Sequence, residues 1–300
     1  MPIVKLRGTN CYYEWIRSDQ SSTGSPTKPV MVFVHGWGGS SRYWRSTAMA
    51  LAESYDCLLY DLRGFGRSQT KQHPEKTGDS LGYELETYAE DLALLLDALN
   101  IDKIYLQAHS MGSSIATLFL NRYRDRVIKA IIACNGIFEY NKLAFAAFHK
   151  VGGYVVKFRY DWFLKVPFAD RLFMARFLTR PISKRDRVDF LKDFLIADYD
   201  AALNTIYTSV SKQAVETMPK EFTEISVPTL LISGEKDQII PAKMAQQASL
   251  LNPHYLDYRE ISNTGHFPML EAKDTYLNQI KSFLLATTEK FAEVKVEINS

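Results

Sequence analysis

Tyr105-Leu106-Gln107-Ala108-His109-Ser110-Met111-Gly112-Ser113 runs from an apolar, strand-like stretch straight into a helical pattern, with a serine at the junction. Gly112 carries no Cβ and so permits a close passage of strand and helix. A tight turn here lifts the Ser110 hydroxyl clear of the backbone, at the N-terminus of a helix whose free N–H groups favour developing negative charge. The same serine would also serve as an ordinary helix N-cap. Its chemistry has to be judged against the rest of the chain.

On either side of this junction, short apolar runs alternate with helical patterns. Residues 30–34, 57–60, 104–107, 128–133, 229–232 and 255–261 read as strands, and their lack of polar alternation suits strands covered on both faces. Residues 3–6 and 11–16 add a hairpin with Gly8-Thr9-Asn10 as its turn, followed by a polar connection over 18–28. Helices are predicted over 42–52, 84–99, 111–122, 241–250 and 274–285. In the second of these, Tyr88, Leu92, Leu95, Leu96 and Leu99 recur at helical spacing while Glu86, Glu90, Asp91 and Asp97 fill the other face, so one side packs on a sheet. The alternation predicts an α/β class fold, a mostly parallel, doubly wound sheet of eight strands. The rhythm breaks between Phe138 and about Met218, where helix-like segments occur without a buried strand. Residues 138–218 are therefore expected as an inserted helical cap, with 1–137 and 219–300 forming the core.

Composition narrows the function classes. The 300 residues carry 36 basic against 34 acidic side chains, a net charge of +2, and are 46% hydrophobic. A chain of this size buries a core without disulfides or metals, and collagen-like, disordered and mini-protein classes are excluded. Near-neutrality leaves no overall footprint for nucleic acid. Cys11, Cys57 and Cys134 lie far apart, in no CxxC or Cys/His ligand spacing, and read as buried thiols. Residues 1–6 form no signal-like apolar segment, and no stretch approaches the roughly 18 apolar residues of a membrane span, so a reducing cytoplasm is the expected location.

Two more places carry chemistry. Val32-Phe33-Val34-His35-Gly36-Trp37-Gly38-Gly39-Ser40 is a strand ending in a glycine-rich turn, which lets backbone N–H groups point into a cavity; His35 reads as a structural residue that organises the loop. Leu230-Leu231-Ile232-Ser233-Gly234-Glu235-Lys236-Asp237 places a carboxylate after a buried strand, and Asn263-Thr264-Gly265-His266-Phe267-Pro268 places a histidine after the last one. A hydroxyl is a poor nucleophile near neutral pH. It needs an imidazole to take its proton, and the imidazole needs an acceptor to hold its tautomer and stabilise its cation. Ser110, Asp237 and His266 supply those three roles in that order along the chain.

In these motifs the chain resembles the α/β-hydrolase superfamily over nearly its whole length. The junction at Ser110 is similar to the family's nucleophile elbow in its Ala-x-Ser-x-Gly form, with Ala108 standing where glycine is commoner. Ala-His-Ser-Met-Gly is also similar to the motif of certain bacterial lipases. Tyr60-Asp61-Leu62-Arg63-Gly64-Phe65-Gly66-Arg67-Ser68 resembles a loop of the capped members, in which Asp61 has a structural role. The resemblance implies the α/β-hydrolase fold and a Ser110–His266–Asp237 triad, with an oxyanion hole from the backbone N–H groups of Trp37 and Met111 and no cofactor or metal. Glu235 is the rival to Asp237. Asn135 stands where some members place their acid, work that an amide cannot do.

The residue at position 110 separates reaction classes in this superfamily. An Asp there forms an alkyl-enzyme ester, as in epoxide hydrolases, whereas Ser110 forms an acyl-enzyme from a carbonyl substrate. The expected activity is carboxylic ester hydrolysis of esterase or lipase type. A carbon–carbon bond hydrolase, perhydrolase, thioesterase or acyltransferase would use the same residues, and a receptor-like member would keep the fold with little turnover. Substrate choice is expected in the cap, where about a dozen aromatic residues and eight Lys or Arg against three acids fall between Phe138 and Arg180. Phe138, Phe145, Phe148 and Trp162 are the candidate pocket residues. The bland reading makes the aromatics the cap's own core; the sharper one makes them an apolar roof with a basic rim, suited to lipophilic esters at an anionic membrane surface. Gly152-Gly153 and Pro167 are candidate hinges.

Overall fold

Val30, Val32 and Val34 enter one apolar layer while Met31 and Phe33 enter another, so a single strand is buried on both faces. The computed structural model describes residues 2–19, 24–69 and 82–286. The alternating stretch 293–298 and part of the polar connection 18–28 lie outside the described residues.

Eight strands form one sheet: β1 (Ile3–Leu6), β2 (Thr9–Ile16), β3 (Val30–Val34), β4 (Asp56–Tyr60), β5 (Ile104–His109), β6 (Val127–Ala133), β7 (Thr229–Gly234) and β8 (Leu256–Ile261). Their order is β1-β2-β4-β3-β5-β6-β7-β8, antiparallel at β1–β2 and β2–β4 and parallel from β4 onward. Six of the strands match the predicted runs to within a few residues. The hairpin turn lies one residue earlier than expected: Leu6 pairs with Thr9, leaving Arg7 and Gly8 as the turn, at φ 48° and 79°. A two-residue hairpin wants positive φ at both central positions. Gly8 adopts it freely, while Arg7 takes it against its own preference.

The helices flanking the sheet are α1 (Arg45–Leu51), α2 (Leu85–Ala98), α3 (Met111–Arg122), and, after the cap, α9 (Ala242–Leu251), α10 (Pro268–Glu271) and α11 (Lys273–Leu285). Tyr88, Leu92, Leu95 and Leu96 of α2 and Ile115, Leu118 and Phe119 of α3 cover the face that receives Val32 and Leu106. Trp44, Ala48 and Leu51 with Tyr276, Ile280 and Phe283 cover the face that receives Phe33 and Leu59. The stretch expected as a helix over 42–52 opens with a 3₁₀ turn, Ser41–Trp44, capped by the Ser40 side chain.

Between β6 and β7 lie α4 (Lys142–Lys157), a 3₁₀ turn (Asp161–Lys165), α5 (Ala169–Met174), α6 (Lys184–Ile196), α7 (Tyr199–Ser209) and α8 (Lys212–Glu224), with no strand among the described residues of 138–218. The last helix runs through the expected boundary at Met218. It packs against α3 and α9 of the core and buries Phe222. Pro219 lies inside it, which obscures the helix to a local reading because proline costs an interior helix one hydrogen bond. No helix among the described residues is long and apolar enough to cross a membrane.

β3 is the topological switch: the chain passes from it to β4 on one side and continues through β5, β6, β7 and β8 on the other. Crevices outside the carboxyl ends of the strands at such a point are where α/β folds bind ligands. The Gly36–Gly39 turn follows β3 and Ser110 follows β5, on the two sides of that crevice.

Candidate active site

β5 ends at His109 and α3 begins at Met111, which leaves Ser110 alone in the turn at φ 55° and ψ −126°. A residue with a Cβ pays about 1–3 kcal/mol for such a conformation. The neighbouring backbone over-determines it: the Ser110 N–H donates to the Ala133 carbonyl at 2.9 Å, and the Ser113 hydroxyl donates to the same oxygen at 3.0 Å. A Cβ on Gly112 would lie 2.4 Å from the His35 carbonyl oxygen, so only glycine lets α3 start this close to the end of β3.

The turn aims the hydroxyl at an imidazole. Ser110 Oγ lies 3.0 Å from His266 Nε2, and His266 Nδ1 lies 2.7 Å from Asp237 Oδ2. An ionised carboxylate only accepts, so Nδ1 carries the proton and Nε2 faces Ser110 as the acceptor. The second Asp237 oxygen accepts the N–H groups of Ile239 and Ile240 at 2.8 and 3.0 Å. Burial pushes the Asp237 carboxyl up, but the adjacent imidazole and these two N–H groups outweigh it and hold it below the usual carboxylate range. The arrangement can pass a proton from Ser110 to His266 and stabilise the resulting cation.

Two supports of His266 left no signal in the sequence. Buried Glu271 accepts four backbone N–H groups: Gly265 at 3.0 Å and Phe267 at 3.0 Å, on either side of His266, and Thr179 at 2.7 Å and Arg180 at 2.8 Å from the cap. The His266 N–H itself donates to the Phe177 carbonyl at 2.7 Å. The His266 loop is thus tied through its backbone to the helical segment between β6 and β7. The second support is His109. Its Nε2 lies 2.7 Å from the His266 carbonyl and its Nδ1 lies 3.0 Å from the Tyr43 hydroxyl, which accepts the Gly36 N–H at 2.5 Å. A carbonyl cannot donate, so Nε2 is the protonated nitrogen and Nδ1 accepts from Tyr43. Burial pushes the His109 imidazole well below its usual range, which keeps it neutral in that tautomer.

The expected oxyanion donors flank Ser110. Met111 is the first residue of α3, where an N–H has no acceptor one turn back. The Trp37 backbone lies in the Gly36–Gly39 turn, while its indole N–H donates to the Ala202 carbonyl of α7 at 2.9 Å and its ring lies 5.6 Å from that of Phe194. His35 is fully buried, with Nδ1–H donating to the Gly36 carbonyl and Nε2 accepting the Leu62 N–H, each at 2.8 Å. It joins the loops after β3 and β4.

Asp61 receives the Ser41 N–H and hydroxyl and the Arg67 N–H and guanidinium, and makes no bond to His266. Glu235 accepts the Asn263 N–H. Asn135 is buried and accepts from the Ser114 hydroxyl at 3.4 Å. His109, Cys134 and His266 offer ligand atoms within 4.8 Å of one another, but both nitrogens of each ring are already in hydrogen bonds and burial raises the Cys134 thiol far above its usual range. That donor set is poorly suited to a metal.

The cap aromatics divide. Phe177 lies 6.1 Å from the His266 ring, Phe190 lies 6.2 Å from Tyr43, and Phe173 and Phe194 pack as a tilted pair at 4.6 Å on the Trp37 side. Of the predicted pocket residues, Phe138 is half-buried and Phe145 contacts Tyr140. Phe148 and Trp162 are exposed, with ring contacts to His149 and to Tyr160 and Phe163 within the cap.

Residues 29–273 match the family described as alpha/beta hydrolase fold. The chain belongs to the α/β-hydrolase fold family. Among its α/β-hydrolase relatives, human epoxide hydrolase 4 is 23% identical over 299 residues, covering 94% of this chain and 81% of the relative. The cis-3-alkyl-4-alkyloxetan-2-one decarboxylase of Shewanella oneidensis is 26% identical over 280 residues, 87% of this chain and 83% of the relative. The solved enol-lactonase of Burkholderia xenovorans LB400 superposes with a TM-score of 0.74 at 18% identity, over 95% of this chain and all of that one (100%), which bears on the fold alone. Family and relatives place the protein among the hydrolases.

Proposed function

We propose that this α/β-hydrolase cleaves carboxylic esters through an acyl-enzyme on Ser110. The observation that carries the reading is the chain of contacts Ser110 Oγ–His266–Asp237, at 3.0 and 2.7 Å, with the hydroxyl presented on a strained turn. His266 takes the Ser110 proton as the oxygen attacks the ester carbonyl. The N–H groups of Trp37 and Met111 stabilise the tetrahedral oxyanion, each worth about 3 kcal/mol of barrier. His266 then protonates the leaving alcohol. Water, deprotonated by the same imidazole, releases the acid and restores the Ser110 hydroxyl.

Several relatives are named epoxide hydrolases. A serine at the nucleophile position favours the ester reading over epoxide opening, because the alkyl-enzyme route needs a carboxylate there. Phe177 beside His266, packed with Phe173, Phe190 and Phe194, puts aromatic surface next to the triad and favours a hydrophobic acyl or alcohol part. The test is a panel of p-nitrophenyl esters of increasing acyl length together with a serine-directed fluorophosphonate probe. Burst release and labelling, both lost in Ser110→Ala, are expected. Undiminished turnover in that variant overturns the mechanism, and a folded protein that neither labels nor turns over is a ligand-binding member of the family. Competing thiols, alcohols and peroxide in the same assay separate hydrolysis from thioesterase, acyltransferase and perhydrolase activity.

A further inference from the structure

Helix α4 is amphipathic in an unusual sense, since its apolar stripe faces outward. Gly152, His149 and buried Val156 turn toward α7, where a Cβ on Gly152 would meet Ile206 at 3.1 Å and the His149 ring lies 5.0 Å from Tyr207. Leu143, Ala147, Val151, Tyr154 and Phe158 recur at spacings of four, four, three and four, the period of one helix face, and all are exposed, Leu143 at 83%. The stripe does not stop with the helix. Tyr154–Phe158, Phe158–Tyr160, Tyr160–Trp162 and Trp162–Phe163 follow one another at ring-centroid separations of 6.2, 6.4, 6.3 and 4.6 Å, so the exposed rings from Tyr154 to Trp162 form one continuous surface, anchored at its end on half-buried Phe163. Phe168 and Leu172, at 65% and 75% exposure, lie further along the same segment.

Phe168 sits at φ 62°, a left-handed conformation that is costly for a bulky side chain. Its ring is solvent-facing, with the Arg171 guanidinium 5.5 Å away. Strain of this kind persists where the surrounding structure holds it, and it clusters at functional positions. Its result here is one more aromatic side chain presented to solvent.

Charge identifies what covers this face. From 142 to 172 the exposed bases are Lys142, Lys150, Lys157, Lys165 and Arg171, against the exposed acid Asp161; Asp170 is paired with Arg187 at 2.8 Å. Lys150 and Lys157 adjoin Val151 and Phe158 on the flank of the stripe, and Lys157 Nζ lies 5.9 Å from the Phe158 ring. An apolar, ring-rich face with Trp and Tyr in it and ammonium groups along its edge matches a bilayer whose headgroups are anionic.

We propose that the cap segment 142–172 docks this protein on the surface of an anionic lipid bilayer, with the aromatic surface in the headgroup layer and the lysines on lipid phosphates. The proposal does not depend on the ester reading, because it concerns the outer face of the cap and not the Ser110 site. The experiment is co-sedimentation of the full chain with phosphatidylcholine vesicles, with and without phosphatidylglycerol, alongside tryptophan fluorescence. Binding to the anionic vesicles that weakens with added salt, with a blue-shifted emission, is expected. Lys157→Glu with Lys165→Glu should weaken it by roughly thirtyfold, and Phe168→Asn with Leu172→Ser by about tenfold.

Phe168→Asn keeps a residue that tolerates positive φ, so this pair should remain folded, and fluorophosphonate labelling with short-ester turnover checks each variant in solution. Failure of labelling with intact vesicle binding counts against the ester reading alone. A folded parent that binds neither vesicle overturns the docking proposal whether or not it is labelled, as do variants that bind like the parent. Concentration-dependent dimerisation that is lost in the variants, without vesicle binding, would assign the face to a second copy of the chain and equally overturns it.

Discussion

The imidazole of His109 donates its Nε2–H to the backbone carbonyl of His266 at 2.7 Å, so the residue before Ser110 holds the main chain of the proposed base. Tyr43 extends the connection to Gly36 in the turn that carries the expected oxyanion donor. One buried chain of polar groups therefore spans the three loops that meet at Ser110.

Tyr43→Phe removes the acceptor of the Gly36 N–H and the donor to His109 while preserving the ring. Leaving these buried partners unmade should lower unfolding stability by about 1–3 kcal/mol. Ester turnover should fall with little change in KM, because positions and not substrate contacts are disturbed. Chemical denaturation and steady-state kinetics on the same preparation check both.

Ser110→Gly should abolish turnover and raise stability by about 1 kcal/mol relative to Ser110→Ala, since glycine adopts φ 55° without a Cβ penalty. Equal melting temperatures for the two variants would contradict the assigned strain.

Glu271→Gln replaces one of two accepting oxygens with an NH₂ that faces backbone N–H donors. With four such donors converging on the carboxylate, the change should cost about 2–4 kcal/mol. It should also reduce kcat at temperatures where the fold is intact, because Gly265 and Phe267 fix the His266 loop. Thermal unfolding and kinetics below the transition measure the two effects separately.

Asp193 on α6 joins cap to core: its carboxylate accepts from the Ser40 hydroxyl at 2.5 Å and from Arg42 at 2.6 Å. Burial pushes its pKa from 3.8 up to about 6, and the Asp61 charge adds to this, against the opposing effects of Ser40, Arg42 and Arg67. The folded state thus holds this proton more tightly than the unfolded chain does. The stabilisation is fully present below about pH 4 and is lost as pH rises through about 6, on the order of 3 kcal/mol in total. Asp193→Asn has no such titration, so the stability difference between variant and parent should shift in the variant's favour between pH 4 and 7. A difference that stays flat over that range would show that Asp193 does not titrate there.

Much of the fold was legible in local pattern. Short apolar runs such as 30–34 and 229–232 can be satisfied only between two covering layers, and Ser110 followed by Gly112 marks a turn whose demands are met by its immediate neighbours. The grouping of Ser110, Asp237 and His266 was legible because each lies within five residues of the end of a strand, where the chain leaves the sheet. Glu271, Tyr43 and Asp193 were not, because a polar residue that long-range packing buries looks the same in sequence as one left in water.

The aromatic residues of the cap mark the division most clearly. By itself the sequence determined their number, their basic company and their place in an insertion between β6 and β7. Only the tertiary structure decided that Phe173, Phe177, Phe190 and Phe194 pack inward, toward Trp37, Tyr43 and His266, while Tyr154, Phe158, Trp162 and Phe168 turn toward solvent. Burial of an aromatic ring is set by which surfaces meet around it, and those surfaces belong to helices distant from it in the chain.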